Sequence, residues 1–230
     1  MYKMYKYVIF DLDGTLLNTL EDLADAGNYA LSAEGFPVHE TESYKYFVGN
    51  GIPVLIKRIC PKEADELTLK KVHDRFSEYY GAHCLDKTKP YDGISKMLCV
   101  LKEHGVKTGV VTNKDHAFSV KLIEDFFGDK ISIVRGREDG FPKKPDPYSV
   151  NNVIERLGAN KKDVIYVGDS NVDMETAINA GVASCGVLWG FRTEKELIES
   201  GAVHIAGRPE ELLEIILKKI PTCTQHLKIV

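Results

Sequence analysis

Two aspartates, Asp11 and Asp13, stand two residues apart directly after the apolar run Tyr7-Val8-Ile9-Phe10, and Gly14 follows them. A short β-branched and aromatic run reads as a buried strand, so its carboxyl end is acidic. In extended chain, residues i and i+2 project to the same side, which lets both carboxylates converge on one small volume. Like charges held that close are costly unless a cation sits between them or one carboxyl keeps its proton. Either arrangement suits catalysis: one carboxylate bound to Mg²⁺ acts as nucleophile while its partner moves a proton as general acid and base. The competing reading of this segment alone is a plain Asp-Gly turn.

Such groups need a scaffold, and the chain beyond Pro90 supplies a cadence of helical pattern, stop glycine and short apolar strand. The pattern Ser95 to His104 ends at Gly105 and leads into Thr108-Gly109-Val110-Val111, and Ile131 to Val134 reads as another strand. Asp146-Pro147 is a helix cap with a proline suited to the first helical position, and Gly158 closes that helix before Val164-Ile165-Tyr166-Val167. Met174 to Ala180 ends at Gly181 and feeds Ala183 to Leu188, while Thr193 and Glu196 make a capping box for a helix ending near Gly201. This alternation predicts an α/β, three-layer Rossmann-like core whose mainly parallel sheet binds ligands beyond its carboxyl strand ends. Thr112-Asn113 and Gly168-Asp169-Ser170 each follow such a strand, as Asp11 and Asp13 do.

At 230 residues and 43% apolar composition, the chain is large enough for one sizeable core plus a small insertion. A net charge of −4, from 30 basic and 34 acidic residues, provides no electrostatic footprint for nucleic acid or an anionic membrane. No apolar run reaches the length of a membrane helix, and the amino terminus enters a strand at once, so a cytoplasmic protein is expected. The cysteines at 60, 84, 99, 185 and 223 are odd in number and widely spaced, which suits reduced packing residues. The histidines show no metal-ligand spacing. Nothing in the sequence specifies an oligomeric state.

With these motifs in order, the chain resembles the haloacid dehalogenase superfamily, within its Mg²⁺-dependent phosphatases. The four segments that carry the resemblance are Asp11-x-Asp13-Gly14-Thr15, Val110-Val111-Thr112-Asn113, Lys144-Pro145-Asp146-Pro147, and Gly168-Asp169-Ser170 with Asp173. The resemblance implies that Asp11 attacks phosphorus to form an aspartyl-phosphate and that Asp13 protonates the leaving oxygen, then activates water. Thr112, with nearby Gly14 and Asn113, would hold the phosphoryl group, and Lys144, the lysine directly before proline, would neutralise transition-state charge in preference to Lys143. Asp11, the Asp13 carbonyl and Asp169 would bind Mg²⁺, which prefers oxygen ligands. Asp173 would orient waters or Lys144 from behind the ligands, or cap the following helix. An acid at position 13 favours phosphate esters over halides, since a leaving halide needs no proton.

Between the first motif and Pro90 the pattern is helical, with segments near Leu23 to Leu31, Glu40 to Phe47, Ile52 to Cys60 and Lys62 to Tyr80. A helical insertion there resembles the cap domain of this superfamily, dividing the chain into a core (1–16 and 88–230) and a cap (17–87). Within it, Phe47-Val48-Gly49-Asn50-Gly51 followed by Leu55 and Arg58 resembles the family's phosphoglycolate phosphatases, which makes Gly49, Asn50 and Arg58 candidate substrate contacts. Trp189-Gly190-Phe191-Arg192 also resembles that subgroup. Asn18, where many relatives carry an acid, and the tail Thr222 to Val230 depart from it. The expected substrate is a small phosphorylated metabolite, led by 2-phosphoglycolate; pyrophosphate, a nucleoside monophosphate or a sugar phosphate would use the same core residues. A phosphomutase would need a cap group for a second hydroxyl, and none stands out. A non-catalytic binding module would lack at least one of Asp11, Asp13, Thr112, Lys144 and Asp169.

Overall fold

The run Tyr7–Phe10 forms β1 and lies in the middle of a six-stranded sheet, hydrogen-bonded on both sides. This computed structural model describes residues 4–217, so Cys223 and the tail Thr222 to Val230 lie outside the described residues. In chain order the elements are β1, β2 (Leu17–Asn18), α1 (Leu20–Ala33), α2 (Tyr44–Phe47), α3 (Ile52–Ile59), α4 (Glu66–His83) and β3 (Lys89–Pro90). Then follow α5 (Ile94–Glu103), β4 (Lys107–Asp115), α6 (His116–Phe126), β5 (Ile133–Arg137), α7 (Tyr148–Leu157), β6 (Val164–Gly168) and α8 (Asn171–Ala180). The chain closes with β7 (Ala183–Val187), α9 (Glu194–Glu199), β8 (His204–Ala206) and α10 (Pro209–Leu217).

The sheet order is β5-β4-β1-β6-β7-β8 and every pairing in it is parallel, as the βα cadence predicts. Both faces are covered because neighbouring residues of each strand serve opposite sides. Val8 and Phe10 pack with α5, α6 and α10, whereas Ile9 packs with Val150, Val153 and Ile154 of α7 and Ala177 and Ala180 of α8. The crevice where strand order reverses lies between β1 and β6, and ligands bind at such a point in open α/β sheets.

Helices α1 to α4 form their own apolar cluster, built on Leu23, Tyr44, Ile56, Phe76 and Tyr80, with Phe191 of the core reaching into it. The chain enters and leaves this helical lobe through β2 and β3, which pair antiparallel. Buried Asp22, in the first turn of α1, accepts from the backbone N–H groups of Lys87 and Thr88, the latter at 2.8 Å, and so ties the two crossings together.

Several boundaries differ from the sequence reading for local reasons. The expected helix from Glu40 begins as a 3-10 turn, Thr41–Ser43, before α2. The helix expected from Lys62 begins at Glu66 because Asp65 caps it, accepting from Thr68 N at 2.8 Å. Asp146 accepts from Tyr148 N at 2.8 Å, and Pro147 takes the capping position instead of the first helical one. The strand expected at Ile131 starts two residues later, and the two- and three-residue strands β2, β3 and β8 are too short for periodicity to reveal.

Candidate active site

Parallel pairing fixes where the motif residues stand. The backbone N–H of Asp11 donates to Val167 O at 2.8 Å, which locks the end of β1 to the end of β6 and places Asp11 beside Asp169. Gly14 turns the chain with φ +84°, and a Cβ there would lie 2.2 Å from Asp169 Oδ2. Gly190 makes the same kind of approach, since its Cβ would meet Asp169 Cβ at 2.3 Å. Phe191 N donates to Asp169 Oδ2 at 2.7 Å, so the loop after β7 is wrapped against this carboxylate.

Asp11, Asp169 and Asp173 are all buried, and each offers an oxygen within 4.8 Å of the others. Lys144 faces them. Its Nζ lies 2.8 Å from Asp11 Oδ1 and 2.7 Å from Asp173 Oδ1, and donates to the Tyr166 hydroxyl at 3.1 Å. The contact to Asp11 is close but off hydrogen-bond alignment, which leaves Oδ1 without an aligned donor. Lys143 is exposed, so the lysine directly before proline is the one turned inward. Asp173 has two roles at once: Oδ1 accepts from Lys144, and Oδ2 accepts from Ser170 N and Oγ, capping α8.

One ammonium does not balance three buried carboxylates. Burial first, then the charge of Asp173, pushes the Asp11 carboxyl up to about 7 against the pull of Lys144. Burial, Asp173 and Asp11 likewise hold Asp169 well above the usual carboxylate range. Burial opposes the Lys144 charge, but Asp11 and Asp173 more than offset it and its pKa rises well above normal. The all-oxygen donor set, its surplus of negative charge and the unaligned Asp11 oxygen fit a hard divalent cation such as Mg²⁺.

Asp13 faces the same cavity, where its Oδ1 accepts from Thr19 Oγ1 at 2.7 Å and from Lys114 Nζ at 3.1 Å. Thr112 lines the cavity, and its Oγ1 accepts from Lys114 N at 3.3 Å. Asn113 lines it too, but its amide is committed to structure. Nδ2 donates to Gly49 O and Lys144 O, and Oδ1 accepts from Lys144 N at 2.9 Å, which joins three separated segments. From the helical lobe Leu23, Val48, Gly49, Ile52 and Leu55 close the cavity, with Phe191 and Arg192 from the loop after β7.

Asn50 and Arg58, expected at the substrate, are not in the cavity wall. Arg58 Nη1 donates to the Tyr46 and Phe47 carbonyls and Nη2 to Asn50 Oδ1 at 2.8 Å, so the pair shapes the loop from behind. Gly14 serves the turn and its contact with Asp169. The arginine that does line the cavity is Arg192, whose guanidinium donates to Lys45 O and lies over the Tyr46 ring. Lys114 was not anticipated: its side chain is 3% exposed and pairs with Asp13. Its position two residues after Thr112 on the same strand was the available signal.

Comparison with known proteins bears on this arrangement. A phosphoglycolate phosphatase of Vibrio parahaemolyticus serotype O3:K6 is 32% identical over 218 residues, covering 92% of this chain and 96% of its own length. That of Haemophilus influenzae (strain 86-028NP) is 32% identical over 224 residues, covering 94% and 100%. A crystal structure from Lactobacillus delbrueckii subsp. bulgaricus, to which the same activity has been attributed, superposes with a TM-score of 0.90 at 32% identity and covers 94% of this chain and all of that one. The family model for haloacid dehalogenase-like hydrolases matches residues 8–187, a span that holds Asp11, Asp13, Thr112, Lys144, Asp169 and Asp173. With its parallel sheet, its acidic strand ends and these relatives, the chain belongs to the haloacid dehalogenase-like hydrolase family.

Proposed function

We propose that the chain is a Mg²⁺-dependent phosphomonoester hydrolase that works through an aspartyl-phosphate on Asp11. The observation that carries this is the set of buried carboxylates at the ends of β1 and β6, opposed by Lys144 and opening on a covered cavity. Asp11, the Asp13 carbonyl and Asp169 would hold the cation, which when bound screens phosphoryl charge and lets an anionic carboxylate approach an anionic ester. An Asp11 carboxylate oxygen forms a bond to phosphorus as the bond to the leaving oxygen breaks, and Asp13 gives that oxygen its proton. Asp13 then takes a proton from water as the water oxygen attacks phosphorus and Asp11 is released with inorganic phosphate. Thr112 and Lys144 stay fixed throughout, which suits phosphoryl transfer, where positioning and charge neutralisation supply most of the catalysis.

The proposed substrate is 2-phosphoglycolate. Its support is the activity named for the curated relatives together with Arg192, a guanidinium suited to a second, carboxylate anion in a cavity whose helical side is apolar. We read residues 17–87 as a cap over a core of residues 1–16 and 88–230, with closure excluding water during the first step. Among the described residues no helix is long and apolar enough to cross a membrane. Free cysteines at 60, 84, 99 and 185 accord with a cytoplasmic setting.

The test is phosphate release from 2-phosphoglycolate, pyrophosphate, nucleotides and sugar phosphates, in Mg²⁺ and in chelator. The expected result is Mg²⁺-dependent turnover led by 2-phosphoglycolate and abolished in Asp11→Asn. Turnover that survives Asp11→Asn overturns the mechanism, and a different leading ester overturns the substrate alone.

A further inference from the structure

Both side-chain donors that reach Asp13 among the described residues, Thr19 Oγ1 and Lys114 Nζ, go to the same oxygen, Oδ1. Among the described residues no donor is directed at Oδ2, although Asp13 faces the cavity. The two oxygens of one carboxylate are therefore inequivalent: one is anchored and one is available. Lys114 is itself held tightly. Its Nζ donates to the Tyr80 hydroxyl at 2.6 Å and sits 4.6 Å from the centre of the Tyr80 ring. Tyr80 is fully buried on α4, braced by Phe76 at 5.6 Å and by Phe118 of the core at 5.3 Å.

A lysine buried this deeply is costly unless its charge is compensated. Burial opposes its charge, but Asp13 and the Tyr80 hydroxyl more than offset that, so its pKa lies above the ordinary value. Its ammonium is thus already committed to Asp13 and to the Tyr80 hydroxyl. Nor does it duplicate Lys144, which pairs with Asp11 and Asp173 instead. What remains is an orienting function.

We propose that Lys114, tethered by Tyr80 of the helical lobe, is a positioning residue that clamps Asp13 through Oδ1 and so makes Oδ2 the oxygen that exchanges protons in both steps. This rests on the reading of Asp13 as the acid and base. In the first step the proton on Oδ2 passes to the leaving oxygen as the P–O bond breaks. In the second, Oδ2 removes a proton from water as the new P–O bond forms and Asp11 departs. Because Tyr80 belongs to α4, the clamp is complete only when α4 is seated against β4. The position of the lobe is thereby linked to the aim of the acid.

The test separates the two steps by rapid-quench measurement of phosphoenzyme formation from two donors. An alkyl ester, 2-phosphoglycolate, needs its leaving oxygen protonated, whereas p-nitrophenyl phosphate releases a stable phenolate. Misaiming a general acid costs about 100-fold in the step that needs it, so Lys114→Met is expected to slow phosphoenzyme formation from 2-phosphoglycolate by about that factor. From p-nitrophenyl phosphate the slowing is expected to stay under about 5-fold, because little proton transfer is needed there. Tyr80→Phe keeps the ammonium and loses only its tether, so it should show the same split at about 10-fold. Equal slowing of both donors, or of neither, in Lys114→Met overturns the proposal, as does a Tyr80→Phe enzyme without the split, which decides the matter even if Lys114→Met fails to fold. Asp13→Asn distinguishes the underlying reading: if it shows no split, the role of Asp13 is what fails.

Discussion

Mg²⁺ affinity should depend steeply on pH below 7, because binding must displace a proton that the crowded carboxylates retain. Burial and Asp173 raise the Asp11 carboxyl from the ordinary 3.8 to about 7. At ~1.4 kcal/mol per tenfold, ionising Asp11 in the folded, metal-free protein costs about 4 kcal/mol more than in the unfolded chain. The sign follows from the direction of the shift. A carboxyl whose folded pKa is raised favours folding while protonated, so this share of stability is fully present below about pH 4 and is lost as pH climbs through 7. Mg²⁺ reverses the trend by compensating the charge. With at least one proton released per ion, because Asp169 is raised as well as Asp11, the apparent dissociation constant should weaken at least about tenfold for each pH step below 7, or at least about 30-fold by pH 5.5. Isothermal titration in two buffers of different ionisation enthalpy counts the protons directly. Affinity that does not vary between about pH 5.5 and 8, or an Asp11→Asn protein with an unchanged slope, refutes the reasoning.

Gly14→Ala should cost about 2 kcal/mol or more in urea unfolding, because the residue has φ +84° and its new Cβ would lie 2.2 Å from Asp169 Oδ2. The same displacement of Asp169 should weaken Mg²⁺ binding at least about tenfold by titration, and unchanged affinity would mean the carboxylate yields freely. Arg192→Met should lower kcat/KM for 2-phosphoglycolate by about 10–100-fold, the worth of one charged hydrogen bond. It should leave p-nitrophenyl phosphate, which has no carboxylate, within about 3-fold, so equal losses on the two esters would remove Arg192 from substrate recognition.

The parts of the site legible in the sequence are those whose chemistry and position coincide locally. Asp11 and Asp13 announce themselves by type, spacing and the strand before them. Lys144 stands out by its proline and Asp169 by its strand end. Lys114 was passed over because a lysine after Thr112-Asn113 looks solvated until β4 is seen to run on to Asp115 and Tyr80 is seen to cover it. Asn113 looked like a substrate contact, yet its amide joins Gly49 to Lys144, a bridge between residues far apart in sequence. Arg58 and Arg192 show the same limit from opposite sides. Both are ordinary surface-type residues by pattern, and only the packing of α2 and α3 against the loop after β7 decides which one meets the cavity. The sheet was legible from its cadence, whereas β2 and β3 were not, since two residues carry no period.

The central strand precedes the other described strands in the chain, yet both of its neighbours are encoded far downstream, at residues 107–110 and 164–167. Parallel pairing over such distances must close long loops before any contact rewards it, and is correspondingly slow. Until those partners exist, Asp11 and Asp13 are therefore two solvated carboxylates of no particular reactivity. The crowding that sets them to work arises only when Lys144 and Asp169 dock against β1. The site therefore waits on segments encoded at residues 144 to 173, and a nascent chain that stops short of them lacks the lysine and the second carboxylate that β1 needs.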